Sequence, residues 1–93
     1  MLKIQYQNFL KEQARAIFPT QDIRIFIFGS AVERKNFHDV DLGIMGQFDE
    51  KLLYQLKEIL EESTFPYLVD IVNFNKVDAD FKNFVLNQNL IWL

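Results

Sequence analysis

The sequence predicts an α/β domain in which helices flank a small mixed sheet. Two observations predict it. Three short runs, Ile23–Phe28, Val40–Met45 and Tyr67–Phe74, are dense in β-branched and aromatic residues, as strands are. Around them lie segments whose apolar residues recur at helical spacing. Alternation of the two kinds indicates helices packed over a sheet.

Each element has its own signal. Leu2, Tyr6, Phe9, Leu10, Ile17 and Phe18 space out a first helix, and Pro19 stops it. Thr20–Gln21–Asp22 form a connector. The run IRIFIF at Ile23–Phe28 is apolar throughout except Arg24, the pattern of a strand buried on both faces. Gly29 permits a sharp turn, and Ser30 suits the N-cap of a short helix over Ala31–Lys35. Val40–Met45 is the second strand. Asp49 is placed to cap a helix over Glu50–Glu62, with Leu52, Leu53, Leu56, Ile59 and Leu60 as its apolar stripe. Ser63–Pro66 break that helix, and Tyr67–Phe74 is the third strand. A last helix starts near Asp78, with Phe81, Phe84 and Val85 on its inner face, and ends at Asn87–Gln88–Asn89. Leu90–Leu93 reads as a short extended tail. Its Ile91–Trp92–Leu93 either closes the core or docks a partner.

The chain has 93 residues, which fits a single domain with a modest core. Hydrophobic residues make up 49% of it, so it folds rather than staying disordered. There is no cysteine and one histidine, which excludes disulfides and thiolate or histidine-rich metal sites. A bound metal must therefore be a hard ion held by carboxylates: magnesium, manganese or calcium. The formal net charge is −3, and the densest basic spot is Arg34–Lys35. A grip on long nucleic acid needs a basic face, so none is expected. No stretch approaches the roughly 20 apolar residues that span a membrane, and no signal peptide opens the chain, so the expected location is cytoplasmic.

Three features carry chemistry. Asp39 and Asp41 are two apart on a strand and share a face, while Val40, Leu42 and Ile44 point to the other. Paired carboxylates repel each other unless one keeps its proton or a cation sits between them. Asp70 lies within the apolar run Leu68–Val72, where a buried carboxylate must be paired, protonated or metal-bound. The alternatives are an exposed strand edge, or pairing with Arg24 or Lys76. Gly29–Ser30, at the junction of a strand and a helix, offers backbone N–H groups to phosphate. Arg34 and Lys35 either neutralise phosphate charge or form a solvated surface pair.

The stretch FGSAVERKNFHDVDLGI, together with VDIV at Val69–Val72, resembles the minimal nucleotidyltransferases of the DNA polymerase β superfamily. Their pattern is an apolar residue, Gly-Ser, a spacer, Asp-x-Asp, and a further Asp on a later strand. The resemblance covers essentially the whole chain, and FKNFVLNQNLIWL is similar to the family's last helix and apolar tail. It implies a palm-like nucleotidyltransferase fold. It implies that Gly29 and Ser30 contact the triphosphate, and that Asp39, Asp41 and Asp70 are the catalytic, metal-holding carboxylates. Magnesium, as two ions, is the implied cofactor, with manganese able to replace it, and ATP is the implied substrate. Stand-alone cores of this kind resemble antitoxins whose partner is a helical HEPN-type toxin, silenced by AMP transfer to a tyrosine. A homodimer or hetero-oligomer also fits a core this small. Two departures stand out. Only the eight residues Ala31–His38 separate Ser30 from Asp39, a shorter loop than is usual, and His38 stands where a serine is common. They motivate the alternative, a degenerate antitoxin that neutralises its partner by contact.

Overall fold

In the computed structural model, which describes residues 1–93, the apolar runs become strands and the periodic segments become helices. The chain order is α1 (Ile4–Ile17), β1 (Arg24–Phe28), α2 (Ser30–Glu33), β2 (Asp39–Met45), α3 (Lys51–Glu62), β3 (Leu68–Asn73), α4 (Ala79–Leu86) and β4 (Ile91–Trp92). The four strands form one sheet in the order β3-β2-β1-β4. β1 pairs antiparallel with β2 and with β4, whereas β2 and β3 run parallel. The sheet is mixed, as the sequence predicts. A parallel pair needs a crossover, and α3 supplies it.

Period-two alternation sorts the side chains onto two faces. One face carries Ile25, Ile27, Val40, Leu42 and Ile44, packed under Leu10 and Ala14 of α1 and Leu56 and Leu60 of α3. The other carries Phe26 and Phe28, joined by Phe74 and by Val85 of α4. β1 therefore contributes to both cores, which is why its sequence is apolar almost throughout. Gly43 of β2 has a packing reason. A Cβ there would collide with the Phe26 ring and lie 2.8 Å from the Phe74 ring. The absent side chain makes room for the two rings, whose centroids are 4.9 Å apart.

The tail closes the sheet. Ile91 and Trp92 pair with Ile27 and Phe26, and the Leu93 N–H donates to the Ile25 carbonyl. Ile91 and Leu93 pack against the larger core, while Trp92 leans on Phe26 and carries the Arg24 guanidinium over its ring. Arg15 locks this end from the other side. Its guanidinium donates to the carbonyls of Phe18, Thr20, Ile23 and Leu93. Partial burial lowers its pKa. Nothing in the local spacing singles out Arg15, because its partners are backbone carbonyls, three in the connector that follows α1 and one at the far end of the chain.

Some expectations change. Ile59, Phe81 and Phe84, read as inward-facing, are exposed, and only Leu56, Leu60 and Val85 of those stripes are buried. Val85 is the one buried residue of α4. Gly29, not Ser30, caps α2, and Ser30 is its first residue. Asp49 accepts from the Lys51 N–H at 3.0 Å, although the capping position itself is Glu50. The last helix starts near Asp78 as expected, and Asp78 caps it, accepting from the Phe81 N–H at 2.8 Å. No helix is long and apolar enough to cross a membrane.

Candidate functional site

β2 turns Asp39 and Asp41 to the face that holds Phe26 and Phe28, and buries Val40, Leu42 and Ile44 on the opposite side. Asp41 is flanked by two registered neighbours, Phe28 on β1 and Asp70 on β3. Residues in register point to the same side of a sheet. The topology thus gathers Asp39, Asp41 and Asp70 on one face, although Asp70 is 29 positions beyond Asp41 in the chain.

Asp70 is exposed, which corrects the reading of its strand as buried. β3 is the edge strand of the sheet, so Asp70 has a strand neighbour on one side only. Its apolar neighbours Val69 and Ile71 point the other way, toward the larger core. The carboxylate therefore costs little to keep, and what marks it is its position opposite Asp41. It pairs with neither Arg24 nor Lys76; Lys76 is instead bound to Glu50.

Gly29 completes the centre. Its φ of +79° is left-handed, and a Cβ there would lie 2.7 Å from Oδ2 of Asp41. Only glycine permits both the turn and this approach. The Gly29 carbonyl accepts from the N–H groups of Val32 and Glu33, and that of Ser30 accepts from Arg34. The N–H groups of Ser30 and Ala31 come before these bonds, so the α-helical turn offers them no acceptor. The N-terminal segment braces this turn, with the Leu2 N–H donating to the Ala31 carbonyl at 2.7 Å.

Arg34, Lys35 and His38 are exposed in the connection from α2 to β2. None of them forms an ion pair with the carboxylates, since Lys76–Glu50 is the only ion pair in the chain. The acidic face is accordingly uncompensated. Partial burial raises the Asp41 pKa, and the charges of Asp70 and then Asp39 raise it further. Oxygen donors without a compensating cation suit a hard divalent ion such as magnesium. Three carboxylates do not yet stand close enough together to enclose one. Asp39 and Asp70 are exposed on either side of the half-buried Asp41. A hollow of about 350 Å³ beside the start of β3 is bounded by Lys57, Tyr67, Leu68 and Asp70, so it meets the acidic face only at Asp70.

A Gly turn thus lies against a strand carboxylate, with two more carboxylates on the same face. A family model described as "Polymerase beta, Nucleotidyltransferase" matches residues 12–92. The chain belongs to this nucleotidyltransferase family. The match spans every strand and all of α2, α3 and α4, so it includes the Gly29–Ser30 turn and all three aspartates. The α/β architecture with its four-stranded mixed sheet agrees with the nucleotidyltransferase fold. No curated protein matches the chain.

Proposed function

We propose that this nucleotidyltransferase moves AMP from ATP onto an acceptor hydroxyl, with Asp39, Asp41 and Asp70 as its catalytic carboxylates. The observation that carries the reading is the register of Asp41 with Asp70 beside the Gly29 turn. Asp39 and Asp41 would hold magnesium together with Asp70. When bound, the metal neutralises phosphate charge and makes the acceptor hydroxyl more acidic. The Gly29–Ser30 turn presents N–H groups and the Ser30 hydroxyl to the triphosphate. Arg34 and Lys35 lie on the loop that follows and add positive charge near the phosphates. Asp70 stands on the open edge of the sheet, where an acceptor can approach, and takes up the hydroxyl proton. The acceptor oxygen forms a bond to the α-phosphorus as the bond to the bridging oxygen breaks, and pyrophosphate leaves.

The acceptor we propose is a tyrosine on a helical HEPN-type toxin, which makes the protein an antitoxin. This rests on the resemblance to stand-alone nucleotidyltransferase cores. The test is transfer of label from α-phosphate-labelled ATP to such a partner in the presence of magnesium. Wild type labels the partner. Asp39→Asn, Asp41→Asn and Asp70→Asn fold but do not. Full transfer by Asp70→Asn removes Asp70 from the triad.

A second reading has its own observation. The carboxylates do not enclose a metal, and the loop Ala31–His38 is short. On that reading the protein is a degenerate antitoxin that works by contact alone. It predicts that the Asp39→Asn, Asp41→Asn double variant still neutralises the toxin. Loss of neutralisation by a soluble double variant refutes it.

A further inference from the structure

The sheet face that bears the carboxylates also bears a continuous aromatic wall. Phe28 is registered opposite Asp41. The ring of Phe81, on α4, meets Phe28 edge-on at 6.5 Å and lies against Phe74 at 5.9 Å. Phe28 and Phe74 are buried, whereas Phe81 is 40% exposed. The wall thus starts beside the acidic centre and ends in a ring that is packed on two sides and open on a third.

We propose that the open face of Phe81 is the platform on which the nucleobase of the bound nucleotide stacks. This deepens the nucleotidyl-transfer reading and rests on it. A nucleotide joins an anionic triphosphate to a base with apolar π-faces. A metal held by the acidic centre would take the first, and Phe81 offers the same sheet face a partner for the second. The ring is held in place by its neighbours, so stacking freezes little further motion. Stacking uses π-faces that all bases share, so this contact binds purine nucleotides with little discrimination between them.

Phe84 makes the comparison sharp. It lies one turn further along α4 and is 64% exposed, yet its ring does not pack on Phe28 or Phe74. General apolar attraction would favour Phe84, whereas a built platform favours Phe81.

The test is calorimetric titration with ATP, and separately with inorganic tripolyphosphate, both with magnesium. Wild type binds ATP more tightly than tripolyphosphate. Phe81→Ala weakens ATP binding by about tenfold and leaves tripolyphosphate unchanged. Phe81→Tyr, which keeps the ring and the packing, retains ATP affinity, and Phe84→Ala matches wild type. An unchanged ratio of ATP to tripolyphosphate affinity in Phe81→Ala overturns the platform alone. Equal losses in Phe84→Ala and Phe81→Ala also overturn it. If wild type binds neither ligand, the nucleotidyl-transfer reading falls and the platform falls with it.

Discussion

Asp41 and Asp70 stand directly opposite each other on neighbouring parallel strands, so two carboxylates occupy one patch of sheet with no basic side chain between them. Asp39 adds a third charge to that patch. The fold therefore holds together repulsion that a divalent cation would relieve. Such strain is common at sites shaped for function rather than stability.

The first consequence concerns pH. The folded pKa of Asp41 is raised above its ordinary value of 3.8, first by burial and then by Asp70 and Asp39. Well below that value both folded and unfolded chains carry the proton, and there is no penalty. As pH rises the unfolded chain ionises first, so stability drains away until the folded carboxyl also ionises. Asp41→Asn lacks this loss. In metal-free buffer at neutral pH the variant is therefore more stable than wild type, by about 1 kcal/mol or less because solvent screens the half-buried group. The gap closes toward pH 3.8 and below. Magnesium narrows or reverses it by stabilising wild type alone. Urea denaturation across pH, with and without magnesium, measures all three effects.

Gly29→Ala should be costly for two separable reasons. The left-handed backbone strains any other residue, and the new Cβ meets Asp41 Oδ2 at 2.7 Å. The backbone cost is about 1–3 kcal/mol. Adding Asp41→Ala removes the collision but not the strain, so the double variant recovers only part of the loss. Chemical denaturation of the single and double variants separates the two contributions.

Gly43→Ala should overpack the smaller core. Its methyl enters the space held by the Phe26 and Phe74 rings, at a cost of about 1–3 kcal/mol. Phe26→Leu frees room, so the two substitutions couple favourably in a double-mutant cycle. Additive losses would mean that the rings do not occupy that space.

Much of this was legible in the sequence. Strand β1 announced itself because a strand buried on both faces must be apolar along its length, as Ile25–Phe28 are. Asp39 and Asp41 were readable because strand alternation assigns their face from spacing alone. Whether Asp70 was buried or on an exposed edge was not readable. An edge strand and a central strand have similar composition when only one face is covered, and Val69–Asp70–Ile71 hides which side is open. Phe81 and Phe84 misled for a related reason: an apolar residue at helical spacing is read as buried, and how much of α4 the rest of the fold covers is a tertiary fact. Arg15 could not be read at all, since its four carbonyl partners are chosen by the path of the backbone.

Arg15 gives a prediction of its own. Arg15→Met keeps the stem but leaves the carbonyls of Phe18, Thr20, Ile23 and Leu93 without their donor. It should cost about 2–3 kcal/mol, and Arg15→Lys should recover little, because an ammonium cannot span a fork of carbonyls. The first place to feel it is the short strand β4. Amide exchange at Leu93, whose N–H bonds the Ile25 carbonyl, should accelerate well before that of β1. Unchanged Leu93 exchange in Arg15→Met would show that the tail does not depend on this pin.

The central claim is that the carboxylates around Asp41 form a metal-dependent nucleotide site. Calorimetric ATP binding, with and without magnesium, on wild type and Asp41→Asn tests it most directly. Binding should need magnesium and disappear in the folded variant. Magnesium-independent binding, or equal binding by Asp41→Asn, would contradict it.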